Sequence, residues 1–111
     1  MSCTPIIINE NSSGFITWTF RDDERNLAVP NSVEYRIDNK EDDAEILAPT
    51  SVTPASVIRI MITNDQNIIL DQTLEYEEHV ITVTANYGVG DSISEQCVFK
   101  VKNLQFVGYP N

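Results

Sequence analysis

The sequence predicts an all-β protein, an antiparallel β-sandwich of about seven strands. Apolar residues recur with a period of two along most of the chain, as in Ile16, Trp18 and Phe20, and this spacing is typical of strands with one buried face. The alternating runs are short and lie between turn-forming residues, and no stretch of ten residues has the 3.6-residue spacing of an amphipathic helix. Two sheets packed face to face are the arrangement that buries such strands.

Seven segments are predicted as strands. The most regular is 56–63, because its isoleucines share one face and β-branched side chains suit a pleated sheet. We expect the third strand to end at Pro49, which has no N–H to donate to a ladder. Residues 70–79 should form a loop, because they offer no apolar face to bury. The predicted strands are 15–20, 33–37, 46–48, 56–63, 68–70, 79–87 and 95–102.

The same alternation predicts which side chains face the interior. On the last strand, Lys100 and Lys102 should point to solvent, because they alternate with apolar residues. Gly88 and Gly90 predict a hairpin ahead of that strand. The five side chains expected to seal the space between the sheets are Trp18, Tyr35, Ile60, Val83 and Phe99.

Length and charge narrow the class of protein. The chain has 111 residues, which suits one domain, and its 17 acidic and 7 basic residues give a net charge of -10. This charge opposes binding to nucleic acid or to an anionic membrane. No run approaches the roughly 20 apolar residues of a spanning helix, and the apolar run 6–8 is too short for a signal peptide. We therefore expect no nucleic-acid partner, no membrane partner and no export by a signal peptide.

The two cysteines, Cys3 and Cys97, lie at opposite ends of the chain and form no Cys-x-x-Cys pair. A disulfide between them requires that the amino terminus lie beside the last strand. Without a signal for export, reasoning from the redox compartment favours free thiols. The bridged alternative stays open at this point.

No set of residues in the sequence predicts catalysis or the binding of a cofactor or metal. His79 is the one histidine, no nucleophile motif frames it, and its acidic neighbours favour a structural role. The acidic runs 22–24 and 38–45 contain oxygen ligands of the kind that calcium uses, but they lack the glycine and the terminal glutamate of an EF-hand. A solvated loop is the favoured interpretation. We therefore predict that the protein is not an enzyme and has no catalytic, cofactor-binding or metal-binding residues.

Apolar residues outside the core strands form the candidate partner-binding set. They lie in the end segments 1–13 and 103–111 of the single predicted domain. One interpretation is that they add an edge strand and cover an open side of the sandwich. The other is that they form a docking arm for a partner protein or hold a homo-oligomer together. The set is Ile6, Ile7, Ile8, Leu104, Phe106, Val107 and Tyr109.

Two segments near the carboxyl end carry a resemblance to known proteins. The alternating run 79–88, followed by Glu-Gln-Cys-Val-Phe-Lys-Val at 95–101, resembles the last two strands of bacterial and phage immunoglobulin-like domains. The layout is also similar to small immunoglobulin-like virion proteins of tailed bacteriophages. The similarity includes Thr-Trp-Thr-Phe-Arg-Asp-Asp at 17–23 and Val-Pro-Asn-Ser-Val at 29–33.

This resemblance implies an immunoglobulin-like β-sandwich that serves as a structural, non-enzymatic part of a virus particle. A capsid decoration or cement protein fits best, with the major capsid protein or another virion protein as its partner. The virion would be its location, after assembly in the host cytoplasm. Apolar anchors should contribute more to such an interface than Lys100, Lys102, Arg36 and Arg59, because exposed ion pairs contribute only about 0 to 1 kcal/mol each.

Two alternatives remain, of which the first is also a structural virion protein and the second belongs to a different class. A neck or tail component would use the same fold at a few copies per particle. An adhesion or carbohydrate-binding module would stack sugar rings on exposed aromatic side chains. The aromatic residues that could do so are Phe15, Tyr76, Tyr87 and Tyr109.

Overall fold

The computed structural model describes residues 2–3, 6–22, 24–71 and 73–104. Within these ranges the chain forms eight strands and no helix. The strands are β1 (Ser2–Cys3), β2 (Ile7–Asn9), β3 (Gly14–Thr19), β4 (Ser32–Asn39), β5 (Glu45–Val52), β6 (Val57–Ile62), β7 (Tyr76–Gly88) and β8 (Asp91–Lys102). The all-β prediction is therefore confirmed.

The strands form two sheets. The smaller sheet has the order β1-β3-β6 and the larger sheet the order β2-β8-β7-β4-β5. All pairs are antiparallel except β2 and β8, which run parallel. Side chains from both sheets meet in one buried apolar cluster, so the architecture is the predicted sandwich.

The period-two alternation places the core as expected. In β6 the side chains alternate strictly between exposed and buried, and β7 follows the same parity along most of its length. The five side chains predicted to seal the sandwich are all buried: Trp18, Tyr35, Ile60, Val83 and Phe99. On β8, Phe99 and Val101 are buried while Lys100 is exposed, which confirms the predicted orientation of that strand.

The largest error in a predicted strand boundary is at the third strand. The third predicted strand does not end at Pro49, because β5 continues through it to Val52. Here Ala48 and Pro49 together oppose one residue of β4, which forms a bulge on an edge strand. Proline is tolerated at such a place because no ladder donor is required of it.

The predicted strand 68–70 is not a strand. Its side chains still alternate, and Ile69 is buried in the core. However, the backbone N–H of Leu70 donates to a side-chain carboxylate on β7, at 2.8 Å, rather than to a neighbouring strand. The alternation in the sequence therefore correctly predicted that Ile69 is buried, but it wrongly predicted that the backbone of this segment pairs with another strand.

The expectation of free thiols is wrong for Cys97. This residue lies on the inner face of β8, is buried and is disulfide-bonded. The sequence contains one other cysteine, Cys3, whose backbone lies in β1 opposite Trp18. Strand β1 belongs to the smaller sheet rather than lying beside β8 in the larger one, and the bridged alternative is the correct one for Cys97.

Candidate functional site

The parallel strand β2 is fixed to β8 by backbone hydrogen bonds. The N–H of Lys100 donates to the carbonyl of Ile6 at 3.1 Å, and the N–H of Glu10 donates to the carbonyl of Lys102 at 2.9 Å. The carboxylate of Glu10 is nearly buried and accepts the N–H of Leu104 at 2.8 Å. Residues 6–10 and Leu104, which come from the two end segments, therefore meet at one edge of the larger sheet.

Alternation along β2 separates the three isoleucines. Ile8 points into the core and is 5% exposed, whereas Ile7 points outward and is 62% exposed. Ile6 is partly buried against the core. The packing of Ile8 also explains Gly14, because a Cβ atom there would lie 2.5 Å from Cδ1 of Ile8. The edge-strand interpretation thus holds for Ile8, while Ile7 remains available to a partner.

Ile7 belongs to a small apolar and basic surface on the outer side of the larger sheet. We call this surface the β2–β8 corner and define it as Ile7, Tyr76, Val98, Lys100 and Lys102. Ile7 lies opposite Lys100, and Tyr76 lies opposite Lys102. An open groove of about 390 Å³ is lined by Ile6, Ile7, Glu78, Val98 and Lys100. Exposed apolar and aromatic side chains that line a groove, such as Ile7 and Tyr76, are typical of a protein-binding surface.

The electrostatics of the corner differ from those of the whole chain. Glu78 is the cross-strand neighbour of Lys100, but its carboxylate pairs with Lys40 at 3.5 Å. The Lys100 ammonium instead lies 5.8 Å from the centre of the Tyr76 ring. Within the described ranges, neither Lys100 nor Lys102 has a carboxylate at ion-pair distance. The corner therefore presents two lysines without a described ion-pair partner on a protein of net charge -10, although Glu78 lines the same groove.

The remaining candidates divide into three groups. Leu104 is exposed and is held beside β2 by its bond to Glu10. Arg36, which was a candidate for a salt bridge to a partner, is already engaged within the chain. It forms two hydrogen bonds to Asp38, at 2.8 and 2.9 Å, and lies 3.5 Å from Glu45. Phe106, Val107 and Tyr109 lie outside the described residues.

The described aromatic residues do not form one sugar-stacking platform. Phe15 lies on the smaller sheet under the guanidinium of Arg59, 3.6 Å from the ring centre. Tyr76 and Tyr87 lie near opposite ends of β7, about 36 Å apart at roughly 3.3 Å per residue. Tyr109 is outside the described ranges.

A buried polar cluster around Glu77 lies beneath the larger sheet and was not predicted. The Glu77 carboxylate accepts the backbone N–H groups of Leu70 and Asp71, at 2.8 and 3.2 Å, and the side-chain amide of Asn39 at 3.2 Å. Nε2 of His79 lies 3.1 Å from the same carboxylate. Glu77 and His79 are at most 1% exposed, so a solute in water does not reach them in this conformation.

A signal for this cluster was present in the sequence. Glu77 and His79 have the same parity as Ile81, Val83 and Ala85, and alternate residues of one strand share a face. Extending the alternation two residues further back would have placed both ionisable groups inside. The acceptor role of Glu77 could not be read in this way, because its donors come from the loop at Leu70 and Asp71 and from Asn39 on β4.

The cluster predicts how stability depends on pH. Burial lowers the pKa of His79, although the hydrogen bond and the charge of Glu77 partly oppose this. Protonation would also create an N–H at Nδ1, which has no acceptor among the described residues. Since the folded-state pKa lies below the unfolded one, the stabilisation is complete above about pH 6.5 and is lost as pH falls toward the folded-state value.

We therefore expect the free energy of unfolding to decrease between pH 7.5 and 5.5, with a slope of at most about 1.4 kcal/mol per pH unit for the one proton. Urea unfolding at each pH measures this slope. The variant His79→Gln, which retains a donor but does not titrate in this range, should give a flatter dependence. Equal slopes in the two proteins would show that His79 is not responsible.

In the described part of the chain, no three side chains of the His, Cys, Asp and Glu types converge at distances that would hold a metal ion. The same ranges contain no helix of the length and apolar content that a membrane crossing requires.

The strand order and the packing of the two sheets define an immunoglobulin-like β-sandwich. Among solved structures the chain is similar to the periplasmic chaperone SfaE, with a TM-score of 0.63 and 14% sequence identity. The similarity covers 94% of this chain and 55% of the chaperone chain, so the chain spans about half of that protein. At this identity the likeness shows the fold alone. No protein-family model matches the chain, and no curated protein sequence matches it.

Proposed function

We propose that this protein is a non-enzymatic structural component of a tailed-phage virion, a decoration or cement protein that binds the outer surface of the capsid. Its partner would be the major capsid protein, and the β2–β8 corner would be the contact surface. The supporting observation is the corner itself, an exposed apolar residue beside two lysines that have no carboxylate partner in the described part of an acidic chain. The assignment to a virion rests on the sequence resemblance.

A capsid lattice would allow each contact to be weak. Repeated sites on one particle supply a high effective concentration, and binding to the assembled shell shifts the equilibrium toward the intact state. The acidic remainder of the surface would keep neighbouring copies soluble and apart. A small exposed anchor such as Ile7 would then be sufficient.

The test is to purify the virus particles whose genome carries the gene and to count copies by quantitative mass spectrometry. Hundreds of copies, with reduced resistance of the shell to heat when the gene is deleted, would support decoration. A few copies per particle would instead indicate a neck or tail component. Absence from the particles would contradict both.

The contact surface is tested separately with the variant Ile7→Asp. We expect its affinity for purified capsids that lack the protein to fall by about tenfold or more. Its free energy of unfolding should change by less than about 1 kcal/mol, because the side chain is exposed. The matched control is Val89→Asp, which places the same substitution at the fully exposed tip of the β7–β8 hairpin. Equal losses of affinity in both variants would remove the corner from the interface.

One observation favours a secreted or cell-surface adhesion module as a second candidate. Cys97 is disulfide-bonded, and disulfides persist mainly in oxidising locations, which include cell surfaces as well as virions. The separation of Phe15, Tyr76 and Tyr87 on the molecule gives a sugar ligand no common platform. Binding on a glycan array that is lost in Tyr76→Ala would nevertheless establish this candidate over the first.

A further inference from the structure

The smaller sheet has an unusual charge distribution for so acidic a protein. Its strands β1, β3 and β6 contain no Asp or Glu, and their one charged side chain is Arg59. On the outer face, Phe15 is 40% exposed, and Val57 and Met61 are each 48% exposed. This face is distinct from the β2–β8 corner, which lies on the other sheet.

Strand β6 forms one edge of the smaller sheet. It pairs with β3 residue by residue without a register shift, and the N–H of Phe20 donates to the carbonyl of Ser56 just beyond the paired residues. Hydrogen-bonded and non-hydrogen-bonded pairs alternate in an antiparallel ladder. The N–H and C=O groups of Val57, Arg59 and Met61 therefore point away from β3, toward the open edge.

This edge has few of the features that normally prevent strand addition. Among the described edges, β5 contains Pro49 and a bulge, while β1 and β2 are only two and three residues long. Strand β6 has six residues, regular pairing and no proline, and its outward side chains are apolar except for Arg59. Arg59 is the one charge that opposes indiscriminate pairing, and a regular edge strand of this kind is a template for a strand that complements the charge.

Arg59 indicates what kind of strand would pair there. Its guanidinium lies 3.6 Å from the centre of the Phe15 ring, and it has no carboxylate at ion-pair distance among the described residues. Val57 and Met61 flank it on the same face of β6. Residues directly opposite in an antiparallel pair share a face, so charge complementarity requires an acidic residue opposite Arg59 and apolar residues on either side of it.

We propose that the β6 edge binds an extended segment of a partner protein as an added antiparallel strand. The segment has an acidic residue with an apolar residue two positions away on each side. Its backbone groups at these three positions bond to Val57, Arg59 and Met61, and its acidic side chain pairs with the guanidinium of Arg59. This proposal does not depend on the capsid assignment, because it concerns a different sheet and needs no particle.

The test uses a fluorescein-labelled peptide, Ser-Val-Thr-Glu-Thr-Val-Ser, and fluorescence anisotropy with the full chain. We expect saturable binding below about 1 mM, weakened by about fivefold or more when the peptide glutamate is replaced by lysine. The protein variant Arg59→Glu should reverse this preference, whereas Lys40→Glu on the larger sheet should leave it unchanged. Circular dichroism of each variant checks that the fold is retained.

Two matched peptides test whether the backbone is what binds. N-methylation of both valines removes N–H groups that would face β6, and we expect it to abolish binding. N-methylation of both threonines blocks groups on the far side of the added strand and should leave binding intact. Equal loss with both peptides, or no binding of the parent peptide at about 1 mM, would overturn the proposal.

A second copy of the chain is the competing occupant of the edge. Sedimentation equilibrium of the protein alone distinguishes it, and we expect a monomer at the concentrations used for the peptide. A dimer that Arg59→Glu dissociates would show that β6 pairs with itself, which would overturn the assignment to a partner segment.

Discussion

Replacement of Glu77 by leucine is expected to lower the free energy of unfolding by about 3 to 5 kcal/mol. The carboxylate accepts two backbone N–H groups and the amide of Asn39, and it contacts Nε2 of His79. Leucine has a similar volume but cannot accept a hydrogen bond. Several buried donors would be left without an acceptor, and each costs about 1 to 3 kcal/mol. Urea unfolding followed by circular dichroism measures the loss.

The neighbouring residue supplies a matched control for this substitution. Glu78 is on the same strand and has the same side chain, but it faces the outer surface and pairs with Lys40 across 3.5 Å. An exposed pair of this kind contributes about 0 to 1 kcal/mol, so Glu78→Leu should have a small effect. If the two variants lost stability equally, the buried cluster would not be the stabilising element that its geometry indicates.

Elements with a regular period of two were the most predictable from the sequence. In β6 and β7 each buried side chain is apolar over most of the strand, so the sequence pattern and the burial pattern coincide. The prediction became wrong where the partner of a backbone group lies far away in the chain. Leu70 donates to Glu77 instead of to a strand, and Pro49 lies in a bulge whose existence depends on the register between β4 and β5.

The candidate site was predictable only in part, because Ile7 is the one member of the predicted partner-binding set that belongs to the β2–β8 corner. Of the two end segments, the structure brings residues 6–10 and Leu104 to one edge of the larger sheet. Which isoleucine faces outward depended on whether β2 paired with β8, a contact between residues more than 90 positions apart. Lys100 has no ion pair with Glu78 because Glu78 pairs with Lys40 instead. Which of the two lysines Glu78 contacts depends on how β4, β7 and β8 are arranged, and the sequence does not give that arrangement.

Replacement of Trp18 by alanine is expected to lower the free energy of unfolding by about 3 to 5 kcal/mol. The side chain is fully buried in β3, opposite Ile58 of β6. It is the largest side chain in the core, so its removal takes apolar contacts from both sheets and leaves a cavity that the surrounding strands can fill only in part. Because the chain has one tryptophan, unfolding of this variant is followed by circular dichroism rather than by fluorescence.

Phe15→Ala is the matched control for Trp18→Ala. Phe15 lies three residues earlier on β3, on the opposite face, and is 40% exposed beneath Arg59. Because three positions along a strand reverse the face, Phe15→Ala removes an aromatic ring from the outer side and should cost less than half as much as Trp18→Ala. Trp18→Phe, which retains most of the buried area, should fall between them and keeps the test usable if the alanine variant does not fold. The reverse order of losses would mean that β3 presents its other face to the core, and the assignments of both sheets, including the open edge at β6, would fail with it.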